Sequence, residues 1–160
     1  KAQNIAKEKN IYLALGVQVI ADFDNKEGAQ NKAYFIDNNG NLLLQYTIGK
    51  LPYFGPNVDG KYYEMKNEEG KIYSFDTEYN RIAITICNDN AHPNYIYQLS
   101  KNEPDIVISH DFTSYSITPI DNYIHATRAI EHGFSMLIAA GEGLSLAVDP
   151  YGKIISSMNY

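Results

Sequence analysis

The stretch Arg81 to Pro93, RIAITICNDNAHP, carries Cys87, the one cysteine of the chain, followed at once by Asn88, Asp89 and Asn90. Alternation along a strand sends Ile82, Ile84 and Ile86 to one side and Ala83, Thr85 and Cys87 to the other. Pro93 and the NYIYQLS run open a helical pattern soon after, so the thiol is expected near a helix N-terminus, where exposed N–H groups and the dipole favour the thiolate. That is the geometry of an activated nucleophile. The competing reading is a small inert hydrophobe on an apolar strand, and spacing alone leaves both open.

The other chemistry-bearing residues are less telling. His92, His110, His125 and His132 have no metal-ligand spacing; His125 and Arg128 share one face of a helix pattern, and all four histidines read as structural or surface residues. Glu131, three residues after Arg128, reads as the acid that orients that arginine. Fourteen tyrosines without a tryptophan read as rim residues of core and surface.

These side chains need elements to hold them. AQNIAKEKN has loose helical spacing, and IYLALGVQVI after it is a continuous β-rich run of the kind expected for a strand covered on both faces. KAYFIDNNGNLLLQY predicts two strands joined at Asn38, Asn39 and Gly40. Thr47 to Gly70, with Pro52 and Pro56, predicts a long functional loop. KIYSFDT, RIAITIC and DIVISH read as strands and YIYQLS as part of a helix. TPIDNYIHATRAIEHG predicts a helix with Thr118 as N-cap, Pro119 in the first position, Asp121 in capping-box spacing and Gly133 as the stop. Ile120, Ile124, Thr127 and Ile130 are expected on its inner face. SMLIAAG and SLAVDPYGKIISS complete the pattern as strands, the latter turning at Asp149 to Gly152. Alternating strands and helices define an α/β protein with antiparallel additions.

Composition sets outer bounds. A chain of 160 residues is the size of one domain. A net charge of −6 gives no basic surface for phosphates, which argues against nucleic acid as a partner. One cysteine makes neither an intrachain disulfide nor a metal site built on Cys pairs, and neither metal nor cofactor is expected. No apolar run is long enough to cross a bilayer. The chain begins at Lys1 within a helical pattern, which reads as a piece of something longer.

RIAITICNDNAHPNYIYQL resembles the nucleophile segment of the nitrilase, or carbon–nitrogen hydrolase, superfamily. EPDIVISHDF is similar to the strand that follows it there. HATRAIEHGFSMLIAAGEGLSLAVDPYGKII resembles the family's Arg-Ala-x-Glu helix and closing Asp-Pro-x-Gly hairpin, and KAYFIDNNGNLLLQY its hairpin before a catalytic lysine. The resemblance implies an α-β-β-α sandwich, here a single partial domain over residues 1–160 lacking its first strand and final segment. It also implies a Glu-Lys-Cys catalytic set. Cys87 matches the nucleophile, whose thiolate would attack an amide, ester or nitrile carbon to give an acyl-enzyme. The oxyanion would be held by the lysine and by the N–H of Asn88.

YTIGKLPYFGP resembles the lysine loop of the apolipoprotein N-acyltransferase branch at Tyr46, Leu51, Phe54 and Gly55, a register that sets Ile48 at the lysine position; a slip of two residues gives the role to Lys50. Pro56 stands where that branch has a glutamate. The resemblance places the general-base glutamate in a segment before the first helix, and Glu142 in GEG is the acid expected beside the pocket. Two readings follow: a thiol-dependent hydrolase or N-acyltransferase, inactive as this piece alone, or a catalytically silent module of the same fold. The acyltransferase lean implies a small-molecule or lipid-linked acyl or amide substrate. It also implies a membrane-spanning part outside this chain and a place on the extracytoplasmic face of a bacterial membrane, with a homo-oligomer compatible with the pairing of such sandwiches.

Overall fold

The computed structural model describes residues 1–20, 28–52, 57–58, 61–62, 73–112 and 118–159. The chain divides into two compact units, residues 1–69 and 70–160.

In the first unit, helix α1 (Ala2–Lys9) precedes a three-stranded antiparallel sheet of β1 (Leu13–Ile20), β2 (Ala29–Ile36) and β3 (Leu42–Thr47), in that order. Asn10 ends α1 in the left-handed conformation. The expected hairpin forms where Asn38, Asn39 and Gly40 join β2 to β3. Asp37 Oδ1 accepts from the N–H groups of Asn39 at 2.9 Å and Asn41 at 2.7 Å, an Asx turn that replaces backbone pairing with a side chain. Gly40 takes φ +85° beneath α1, where a Cβ would lie 2.7 Å from the Gln3 carbonyl oxygen. Ala29, Ala33, Phe35, Ile36, Tyr46 and Ile48 are buried.

The apolar run of β1 is not covered on both faces as expected: its central residues Gly16, Val17 and Gln18 are exposed. It is the end strand, paired with β2 from Leu13↔Ile36 to Ile20↔Ala29. An apolar sequence shows what a strand is able to bury, not what lies against it. The segment expected as a loop after Thr47 contains a minimal hairpin, β4 (Asn57–Val58) with β5 (Lys61–Tyr62); residues 53–56, 59–60 and 63–70 lie outside the described residues.

The second unit is a six-stranded mixed sheet in the order β11-β10-β9-β8-β7-β6. Its strands are β6 (Ser74–Asp76), β7 (Arg81–Ile86), β8 (Ile106–Asp111), β9 (Ser135–Ala140), β10 (Leu144–Val148) and β11 (Ile154–Asn159), with helices α2 (Pro93–Ser100) and α3 (Thr118–His132). β7, β8 and β9 are parallel; the outer pairings are antiparallel. Parallel neighbours require crossovers, and α2 and α3 supply them.

The register lays Ala83, Val107, Met136 and Val148 side by side, and Thr85, Ser109, Ile138 and Leu146 in the next row. The first row belongs to the core together with Tyr95, Ile96 and Leu99 of α2 and Ala129 of α3. Two residues further along the same face come Cys87, after β7, and Asp111, at the end of β8. The face therefore passes from apolar to polar toward the carboxyl ends of β7 and β8, where sites in open α/β sheets form.

Helix α3 ends as expected, with Gly133 at φ +75° and its N–H donating to the Ala129 carbonyl at 2.8 Å. Its inner face differs from the expected one: Ile120 and Ile130 are 63% and 58% exposed, while His125, Arg128 and Ala129 are buried. Polar partners wait on the sheet ends beneath it, so the helix turns its polar side inward. The turn at Asp149 to Gly152 repeats the chemistry of the first hairpin, Asp149 Oδ1 accepting from Tyr151 and Lys153 N–H groups at 2.9 Å each.

Candidate active site

Cys87 opens a 3-10 turn, Cys87–Ala91, immediately after β7. Its φ is +45°, a left-handed backbone that costs a residue with a side chain about 1 kcal/mol. Two carboxylates hold it there. Asp89, fully buried, accepts the Ile86 N–H on Oδ2 at 2.9 Å, and Asp111 Oδ1 accepts the Cys87 N–H at 3.2 Å.

Asp111 is the centre of a buried polar network. Ser109 Oγ donates to its Oδ1 at 2.5 Å, and His125 Nε2 lies 3.0 Å from its Oδ2. Asn90 Nδ2 donates to Ser109 Oγ at 2.7 Å. Arg128 Nε donates to the Asn90 carbonyl at 2.9 Å, and its guanidinium pairs with Glu131, the orienting role expected of that glutamate. β7, β8, α3 and the 3-10 turn are thus joined around one thiol.

A cleft of about 170 Å³ opens on Cys87, Asn88, Asp111, Phe112, Asp121 and His125. Such a space takes a small planar group such as an amide head. Burial pushes the Cys87 thiol up to about 11, and the Asp111 and Asp121 charges push the same way; the N–H groups of Phe112 and Asn88 directed at the sulfur oppose them. The thiolate stabilisation expected from a helix N-terminus is therefore outweighed. A short 3-10 turn offers little dipole, whereas desolvation and like charge both penalise the anion.

Of the expected catalytic residues, Cys87 and Asn88 meet in the cleft. Lys50 is half-buried just beyond β3 in the first unit. Ile48, at the alternative lysine register, is fully buried with its N–H donating to the Asn31 carbonyl at 2.9 Å. Glu142 is exposed in the turn between β9 and β10 and does not line the cleft; the preceding Gly141 ties that turn to the end of β8 through its N–H and the Asp111 carbonyl, 2.8 Å apart. Among the described residues no cluster of His, Cys, Asp and Glu has the makings of a metal site.

Sequence reasoning set His110 and Asp111 beside the pocket only by family analogy, and missed the place of Asp121 in the cleft and the inward role of His125. The signal for Asp111 lay in the alternation Val107, Ser109, Asp111, which turns polar in step with Ala83, Thr85, Cys87. His125 and Arg128 were legible as one helix face, but their burial was not.

A parallel-strand end carrying a cysteine, braced by helices on one face of a mixed sheet, defines an α/β protein with a thiol site at the sheet's carboxyl edge. The chain belongs to the carbon–nitrogen hydrolase family, whose family model matches residues 1–159. It is 30% identical over 131 residues to apolipoprotein N-acyltransferase 2 of Treponema denticola, a match covering 78% of this chain and 23% of that protein. It is 29% identical over 107 residues to beta-ureidopropionase of Arabidopsis thaliana, covering 67% and 26%.

Among solved structures it superposes on an amidase of the nitrilase superfamily from Nesterenkonia sp. AN1 with a TM-score of 0.81 at 18% identity, covering 99% of this chain and 61% of that one. The fold is the nitrilase fold. In another structure of that amidase, TM-score 0.80 at 19% identity and covering 98% and 62% of the two chains, acrylamide has added to the active-site cysteine. The chain therefore spans about a quarter of the two curated relatives named above.

Proposed function

We propose that the protein carrying this chain cleaves or transfers acyl groups at carbon–nitrogen or ester bonds through a covalent thioester on Cys87. The observation that supports this reading most directly is the Cys87 sulfur at the cleft, on a strained strand end, with the Asn88 N–H directed at it. Because the resting thiol is protonated at neutral pH, a general base must take its proton as sulfur attacks the carbonyl carbon. The tetrahedral oxyanion is held by the Asn88 N–H and by Lys50. The C–N or C–O bond then breaks, the leaving group takes the proton back from the base, and an acyl-thioester remains. Water releases a carboxylic acid; an acceptor amine releases an amide.

Glu142, exposed and outside the cleft, is not placed to take that proton; in this reading the base is the glutamate that the family resemblance supplies from a segment before α1. The likeness to N-acyltransferases favours a lipid-linked acyl donor, a neighbouring membrane-spanning part and an extracytoplasmic site. Among the described residues no helix is long and apolar enough to cross a membrane. Residues 1–160 form part of one carbon–nitrogen hydrolase domain in this reading.

The full-length protein incubated with a short-chain amide and, separately, with a phospholipid acyl donor plus an amine acceptor is expected to gain the acyl mass on the peptide containing Cys87. Cys87→Ala is expected to abolish both adduct and turnover, and Lys50→Met to slow turnover. A folded Cys87→Ala protein that keeps its biological effect would establish the second reading, a silent module, which the high thiol pKa and the buried Ile48 favour.

A further inference from the structure

We propose that Asp111 is the positioning residue of the Cys87 thiol, one carboxylate oxygen holding the Cys87 amide and the other held by His125, so that α3 sets the nucleophile's backbone through this carboxylate. The proposal rests on the reading of Cys87 as nucleophile for its catalytic meaning, and on geometry alone for its structural one.

Asp111 Oδ1 accepts from both the Cys87 N–H at 3.2 Å and Ser109 Oγ at 2.5 Å. Oδ2 is left for His125, whose side chain is 3% exposed against 4% for Asp111. A backbone with φ +45° at a non-glycine residue persists only where its surroundings over-determine it. Here the fixed points are Asp111, which accepts the Cys87 N–H, and Asp89, which accepts the Ile86 N–H. His125 Nδ1 has no hydrogen-bond partner among the described residues, so the ring meets this network through Nε2 and Asp111.

The same carboxylate lies close enough to the sulfur to oppose its ionisation, and Asp121 of α3 opposes it as well. Asp111 thus does two separable things: it holds the amide, which needs an acceptor oxygen, and it disfavours the thiolate, which needs a charge. Asparagine keeps the oxygen and drops the charge; alanine drops both. With Asn, the amide NH₂ would face His125 Nε2, which accepts when the ring proton is on Nδ1.

The test is the iodoacetamide alkylation rate of Cys87 against pH, with turnover on the same amide probe, in full-length wild type, Asp111→Asn and Asp111→Ala. Asp111→Asn is expected to move the alkylation profile to lower pH, raising the rate at neutral pH about three- to tenfold, while turnover stays within about threefold. Asp111→Ala is expected to move the profile likewise and to lose turnover by about tenfold or more. A folded Asp111→Ala with unchanged turnover would overturn the positioning role, and an Asp111→Asn profile that superimposes on the wild type would overturn the charge effect. If Asp111→Ala does not fold, Asp111→Leu, which fills the space without an acceptor, is measured in its place, with the same expected loss of turnover. A Cys87→Ala protein with full turnover would remove the catalytic reading and leave the alkylation comparison standing.

Discussion

The imidazole of His125, on α3, meets the carboxylate of Asp111, on β8, at 3.0 Å with both side chains almost wholly enclosed. Removing one partner of a buried polar pair strands the other, so His125→Ala is expected to lower stability by about 2–4 kcal/mol, cavity included. Urea denaturation measures it; a loss under about 1 kcal/mol would show that water replaces the ring without penalty.

Arg128 and Glu131 form an ion pair of unequal burial, with side chains 9% and 44% exposed. Glu131→Gln leaves the arginine its bond to the Asn90 carbonyl and is expected to cost less than about 1 kcal/mol. Arg128→Met removes that bond and frees a carbonyl of the 3-10 turn, for an expected loss of about 2–3 kcal/mol. Equal losses in the two variants would contradict the assignment of Arg128 as the tie between α3 and the turn.

Gly40 and Gly152 both have positive φ, yet alanine is not expected to cost the same at each. At Gly40 a Cβ would meet the Gln3 backbone oxygen at 2.7 Å, whereas at Gly152 it would meet the Cδ1 end of Ile130 at 2.5 Å, and Ile130 is largely exposed and free to turn away. Each substitution carries about 1 kcal/mol of backbone strain. Gly40→Ala adds displacement of α1 and is expected to exceed Gly152→Ala by at least about 1 kcal/mol in thermal or chemical unfolding.

The raised thiol sets an alkaline limit on stability. Its folded value of about 11 exceeds the ordinary 9.0, so the unfolded chain releases the proton first. The contribution is whole below pH 9 and is lost as pH rises through about 11, to at most about 3 kcal/mol. Cys87→Ala is expected to flatten the fall in unfolding free energy between pH 9 and 11; an unchanged slope would place its cause elsewhere. On the acid side burial lowers both His110 and His132 below their ordinary 6.5. There the unfolded chain takes up protons first, and stability is expected to decline as pH falls below that value.

The two hairpin turns were legible because their causes are local. Asp37 with Gly40 and Asp149 with Gly152 each place an acceptor carboxylate three residues before a glycine, and the turn closes on its own side chain and backbone. The strand RIAITIC, the helix stop at Gly133 and the Glu131–Arg128 pairing depend equally on neighbours in sequence. The nucleophile segment was readable for the same reason, a strand pattern that ends at a thiol.

What α3 and β1 bury was decided only in three dimensions. Helical periodicity nominated Ile120 and Ile130 for the inside, but the ends of β7 and β8 offered Asp111 and the Asn90 carbonyl, and His125 and Arg128 turned inward to meet them. The ionisation of Cys87 was likewise beyond the sequence: the dipole argument is local, whereas the desolvation and the two carboxylates that outweigh it come from residues 24 and 34 positions away. Local order in this protein follows from backbone chemistry along the chain, while the charge and polarity around its sulfur follow from which distant strands and helices the sheet register brings together.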